Sequence, residues 1–198
     1  MYRSNSGPTV AQLCCVTNRR EKTPPKPLDS ASLRELAFSY VARFATTRAR
    51  LGTYLGRKLR ERGWNDTQPA DPAALVAQMA DRGYIDDAGY ATMKAGSLLR
   101  RGYGKRRVAN MYYADGIEEG DRREADELCE AERISAIVAL ARRRHFGPFA
   151  DSAPDDKLRQ RQLATLIRAG HEFGLAKRLL DLAREGDETR VAQRLMEG

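Results

Sequence analysis

Five cations, Arg100, Arg101, Lys105, Arg106 and Arg107, stand within eight positions around the turn Gly102-Tyr103-Gly104. Such a cluster can neutralise phosphates and release their counterions, or pair with the carboxylates of an acidic protein surface. Gly102 and Gly104 would let a ligand approach the backbone closely, and Tyr103 is a surface ring on which a base could stack. The same cations also suit a solvated helix end, where positive charge stabilises the C-terminal carbonyls by about 0.3 to 1 kcal/mol. A phosphate loop is excluded: Arg106 stands where Ser or Thr is required, and no glycine lies five positions before Gly104.

The acids are segregated from this cluster. Between Asp115 and Glu132 nine acids face only Arg122 and Arg123, a local balance of −7 in a chain of net charge +8 and pI near 9.6. An acidic strip repels phosphates over about 8 to 10 Å, so Glu124, Glu127 and Glu130 suit a basic protein partner better than nucleic acid. Asp86 and Asp87 read as helix caps, Tyr84 and Tyr90 as core, and His145 as a helix-end packing group. No nucleophile has a nearby base, which sets aside catalysis. Cys14, Cys15 and Cys129 share no metal-ligand spacing with each other or with His145 and His171, so neither a metal nor a cofactor is expected. Cysteine this sparse fits a reducing, cytoplasmic setting. The longest apolar run, Ile134 to Ala141, is far short of the roughly 20 residues of a membrane span, and Met1 to Arg20 has no signal-peptide core.

The elements positioning these groups are helical. Ala, Leu and Arg dominate, aromatics are 7%, and no period-2 strand of useful length is visible. Residues 1–28, with four prolines and a charge of +4, read as a disordered basic tail. A first helix follows Asp29 or Ser30 and closes its apolar stripe at Phe44. A second, capped by Thr46 or Thr47, stops at a left-handed Gly63. A third runs from Asp71-Pro72 to Gly83. Two further groups follow, the middle one holding the basic turn and an acidic helix over about Glu119 to Cys129. The pairs Arg62-Gly63, Asp115-Gly116 and Ala169-Gly170 recur at intervals of 53 and 54 residues. That period predicts an all-α chain of three tandem three-helix repeats, 29–83, 84–131 and 132–185, forming an elongated curved rod, with 186–198 as a C-terminal tail or a frayed helix carrying Val191 and Leu195.

Tyr84-Ile85-Asp86-Asp87 with Tyr90-Ala91, then Arg101-Gly102-Tyr103-Gly104 and Arg106-Arg107-Val108, resembles the RecX regulatory proteins. Leu55-Gly56-Arg57-Lys58-Leu59 ahead of Gly63-Trp64, Arg144 to Phe149, and Arg161 to Leu166 ahead of Gly170 extend the likeness over about Leu33 to Ala183. The resemblance implies three tandem three-helix repeats. It also implies a cytoplasmic, monomeric, non-enzymatic regulator that lies along the groove of the RecA recombinase filament on single-stranded DNA and restrains its recombinase, ATPase and coprotease activities in DNA repair and the SOS response. Binding of single-stranded or double-stranded DNA by the protein alone would then be weak. Charge by itself would favour a free-standing nucleic-acid binder built from helix-turn-helix-like units.

Overall fold

Each of the first four helices begins where a short polar side chain accepts a free backbone N–H. Asp29 and Ser32 form a reciprocal capping box, with Ser32 N–H on the Asp29 carboxylate at 2.8 Å and Asp29 N–H on Ser32 Oγ at 2.9 Å. Thr47 accepts from Arg50 N, Asp71 from Ala74 N and Asp86 from Gly89 N, each cap contributing about 1 kcal/mol. The computed structural model describes residues 26–197, so the tail read over residues 1–25, with Cys14 and Cys15, lies outside the described residues.

Among the described residues there are ten α-helices and no strand: α1 Ser30–Val41, α2 Arg48–Arg62, α3 Pro72–Asp81, α4 Asp87–Arg100, α5 Lys105–Asp115, α6 Arg123–Ala131, α7 Arg133–Arg144, α8 Asp156–Arg168, α9 Phe173–Asp181 and α10 Glu188–Glu197. Single 3-10 turns occupy Glu119–Asp121 and Gly147–Phe149. The apolar stripes converge on three successive cores. Leu28, Leu33, Ala37, Leu51, Leu55, Met79 and Ile85 form the first. Tyr90, Ala91, Leu99, Val108, Tyr112 and Cys129 form the second, and Ile137, Ala141, Leu166, Leu179 and Val191 belong to the third.

Several expectations are corrected. Phe44 lies beyond the end of α1 in a turn and is 57% exposed, because the helix stops at Val41 before its stripe is complete. Tyr84 is also a surface ring, set edge-on against Phe38 with centroids 5.4 Å apart, whereas Tyr90 is buried. Gly63 has φ 78° and ψ 177°, outside the left-handed helical region. The acidic stretch breaks into a 3-10 turn before α6 starts at Arg123. Of the two readings of the C-terminal segment, the helix is the one found, as α10, but it is packed and not frayed, with Val191 and Leu195 buried in the third core beside α7 and α9. At the other end Leu28, assigned to the N-terminal tail, is fully buried. Its N–H donates to the Gly63 carbonyl at 3.0 Å and its carbonyl accepts from Asn65 N at 2.8 Å.

Candidate functional site

Two helix ends, the C-terminus of α4 and the N-terminus of α5, carry the basic cluster, and the third core holds both in place. Gly102 has φ 77°, and a Cβ there would lie 2.9 Å from that of Leu140. Gly104 touches the loop after α8: a Cβ on it would meet the Gly170 carbonyl oxygen at 2.4 Å. The close approach these glycines permit is thus taken up by the chain itself. Gly104 N–H donates to Ala169 O at 2.9 Å and Arg106 N–H to Gly170 O at 3.1 Å, so the uncapped start of α5 is satisfied by carbonyls ending α8.

Arg100, Arg101, Arg106 and Arg107 are exposed, and among the described residues none forms an ion pair. Lys105 differs: its ammonium bonds Glu130 on α6, which raises the lysine pKa and lowers that of Glu130. The basic and acidic candidates therefore meet at this pair. Glu127 pairs with Arg123 at 3.2 Å across one turn, while Glu124 is exposed and, among the described residues, without an ion pair. Tyr103 is only half-exposed and packs on the third core, with the guanidinium carbons of Arg101 and Arg107 at 5.2 and 5.7 Å from its ring centre. It positions two arginines by cation–π contact. Between α4 and α5 a groove of about 390 Å³ is lined by Lys94, Arg101 and Arg107 with Leu98 and Met111, and Asp115 is its one acidic lining residue.

Three long-range contacts had no sequence signal. The Asp87 carboxylate is 5% exposed and accepts from Arg48 N–H at 3.0 Å and Arg48 Nε at 2.9 Å, and Arg48 also reaches Asp121. Asp87 thus serves the start of α2, while Asp86 alone caps α4. Arg50 donates to the Tyr90 hydroxyl at 2.7 Å, which in turn donates to Asp115 at 2.9 Å. His171 is buried, with Nε2 at 3.0 Å from Gly102 O, so Nε2–H is the donor to that carbonyl.

Burial holds the His171 pKa below its ordinary 6.5 despite the carbonyl partner. The unfolded chain takes up a proton as pH falls through 6.5 and the folded chain resists it, so stability present above that pH is lost on acidification. Thermal melts at pH 7 and at about pH 5.5 should show the decline, and His171→Gln should flatten it. An equal decline in the variant would mean that other groups dominate this window.

No group of three or more His, Cys, Asp or Glu among the described residues could hold a metal, and no described helix is long and apolar enough to cross a membrane. Successive small helical cores with charged side chains arrayed outside them define a helical-repeat protein that presents a surface. The chain is 31% identical over 173 residues to the regulatory protein RecX of Myxococcus xanthus, covering 82% of this chain and 92% of that protein. It is 29% identical over 146 residues to the Agrobacterium fabrum protein of the same name, covering 72% and 78%, and 28% identical over 176 residues to one from Mycobacterium sp. strain KMS, covering 84% and 93%. No family model matches the chain. The chain belongs to the RecX family of regulatory proteins.

Proposed function

We propose that this protein is a non-enzymatic, monomeric, cytoplasmic regulator that binds the RecA recombinase filament on single-stranded DNA and restrains its activities in DNA repair and the SOS response. The observation carrying the reading is the family membership, over 92% of the length of one curated relative. The surface supports it: arginines at 100, 101, 106 and 107, without an ion pair among the described residues, suit the polyanion, and Glu124 and Glu127 suit a basic lobe of the recombinase. Three units, 29–83, 84–131 and a third extended from 132 through α10, would lie along the groove, each adding a modest contact that geometry converts into affinity.

The test is single-stranded-DNA-dependent ATP hydrolysis by a bacterial RecA, titrated with this protein beside its binding to the same DNA alone. Suppression below the amount that coats free DNA supports filament recognition; suppression only at saturation of the DNA supports the free-standing nucleic-acid binder. The double reversal Glu124→Lys with Glu127→Lys should weaken suppression about tenfold while leaving affinity for free DNA equal or higher. Glu130 is left intact, because a lysine there would face Lys105. Stronger suppression by the double variant would overturn the placement of the acidic surface.

A further inference from the structure

A groove of about 490 Å³ between α1 and α2 is distant in sequence from the basic turn. Its lining includes Tyr40, Phe44 and Tyr54 with Arg43, Arg50 and Arg57, and no carboxylate. The rings are linked in series: Tyr54 stacks on Tyr40 at 4.3 Å and 24°, and Tyr40 tilts against Phe44 at 5.4 Å and 51°. Phe44 ends the series at 57% exposure, leaving ring surface open to a partner. Arg57 and Lys58 sit 5.8 and 6.0 Å from the centre of the Tyr54 ring.

We infer that this groove is a stacking site for single-stranded nucleic acid, with an unstacked base on Phe44 and its flanking phosphates on Arg43 and Arg57. Flat rings ending in an exposed phenyl, with arginines as the only charged lining residues, match the alternation of base and phosphate along a single strand. A duplex keeps its bases stacked on each other and offers Phe44 no face. Arg43 is exposed and, among the described residues, without an ion pair, and the contact of Arg57 with Glu61 is a surface pair at 3.7 Å that a phosphate can replace.

The groove also has a continuation. Arg50 on its wall lies 3.3 Å from Asp115, which lines the second groove together with Lys94, Arg101 and Arg107. A strand leaving Phe44 therefore passes from the first unit to the second along cations, with Asp115 neutralised by Arg50 at the crossing. The inference rests on the nucleic-acid component of the function proposed above, yet it requires no recombinase.

Its test is the fluorescence anisotropy of a labelled oligothymidylate, long enough to span both grooves, titrated with the full chain at several salt concentrations. Phe44→Ala should weaken binding about tenfold, and Phe44→Trp should restore it. Arg43→Gln with Arg57→Gln should lower the slope of log affinity against log salt by about 0.7 for each phosphate that is no longer neutralised. Both sites are exposed, so these variants keep the cores intact. Wild-type affinity in Phe44→Ala and an unchanged slope in the arginine variant would overturn the inference. So would normal oligonucleotide binding by Phe44→Ala with suppression of RecA hydrolysis abolished, which makes the groove a protein-docking surface and leaves the regulatory function standing. Weaker oligonucleotide binding with suppression retained would support the stacking site and count against a role for it on the filament.

Discussion

Gly104→Ala is expected to lower the melting temperature by about 6 to 12 °C. The added Cβ would stand 2.4 Å from the Gly170 carbonyl oxygen and 2.7 Å from His171 N, both backbone atoms that cannot swing aside. Relieving the overlap separates α5 from the end of α8, which strains the packing and weakens the bonds from Gly104 N and Arg106 N to Ala169 and Gly170. Overpacking of this kind costs about 3 kcal/mol, and about 2 to 4 °C follows per kcal/mol in a chain of this size. Gly63→Ala is the control. Its φ of 78° with ψ 177° is a conformation nearly exclusive to glycine and imposes a strain of about 1 to 3 kcal/mol, but nothing lies within 4 Å of the new methyl group, so its effect should be no larger and should come from backbone strain alone. Differential scanning calorimetry of the two variants checks both. A Gly104→Ala protein that melts with the wild type would mean that α5 and α8 do not abut as described.

The contrast between these glycines explains the repeat visible in the sequence. Gly116 ends α5 and a Cβ on it would meet that of Ala49 at 2.3 Å, in the first turn of α2; Gly170 follows α8 and meets Arg107, in the first turn of α5. The second helix of each unit therefore runs head to tail into the second helix of the unit before it. At the first junction the Thr47 hydroxyl, capping α2, donates to Asp115 O at 2.6 Å; at the second the N–H groups of Gly104 and Arg106 find Ala169 and Gly170. No unit precedes α2 among the described residues, and there Leu28 donates to the Gly63 carbonyl instead. The intervals of 53 and 54 residues mark this contact, which only glycine permits at the two inner positions.

What was legible in the chain was local. Caps such as Asp29, Asp71 and Asp86 act within three residues, and the stripe of Leu33 and Ala37 needs only helical spacing to be read. Phe44 and Tyr84 were misplaced because each continues an apolar pattern past the point where its helix has ended. The last helix was legible only as one of two alternatives, because Val191 and Leu195 make a short stripe that fits a frayed helix or a tail equally well; α7 and α9 supply the rest of its apolar environment. The basic turn was visible, but the purpose of its glycines was not, since Gly170 and Leu140 are distant in sequence. Buried charge and buried imidazole are similarly silent, because a cap, a core group and a ligand share one residue type until their partners are known.

Asp87 shows this most directly, and Asp87→Ala should cost about 2 to 3 kcal/mol in chemical denaturation. Its side chain is buried at the junction of the first two units, where it accepts from both the backbone and the guanidinium of Arg48. Alanine leaves the Arg48 N–H at the start of α2 without that acceptor and removes an ion pair whose acidic half is desolvated. The cost stays below that of a fully buried pair because the Arg48 side chain is 44% exposed and keeps Asp121 as a second partner. Asp87→Asn retains an oxygen for the backbone donor while losing the charge, so it should cost about half as much. Arg48→Ala in the Asp87→Ala background should then cost less than in the wild type, with a coupling of about 1 kcal/mol. Additive effects would mean that the two residues stabilise their own helices independently. Coupled effects, accompanied by a loss of the proposed suppression of RecA hydrolysis at unchanged oligonucleotide affinity, would place Asp87 among the residues that set the angle between the first two units, on which the proposed simultaneous contact with a filament would depend.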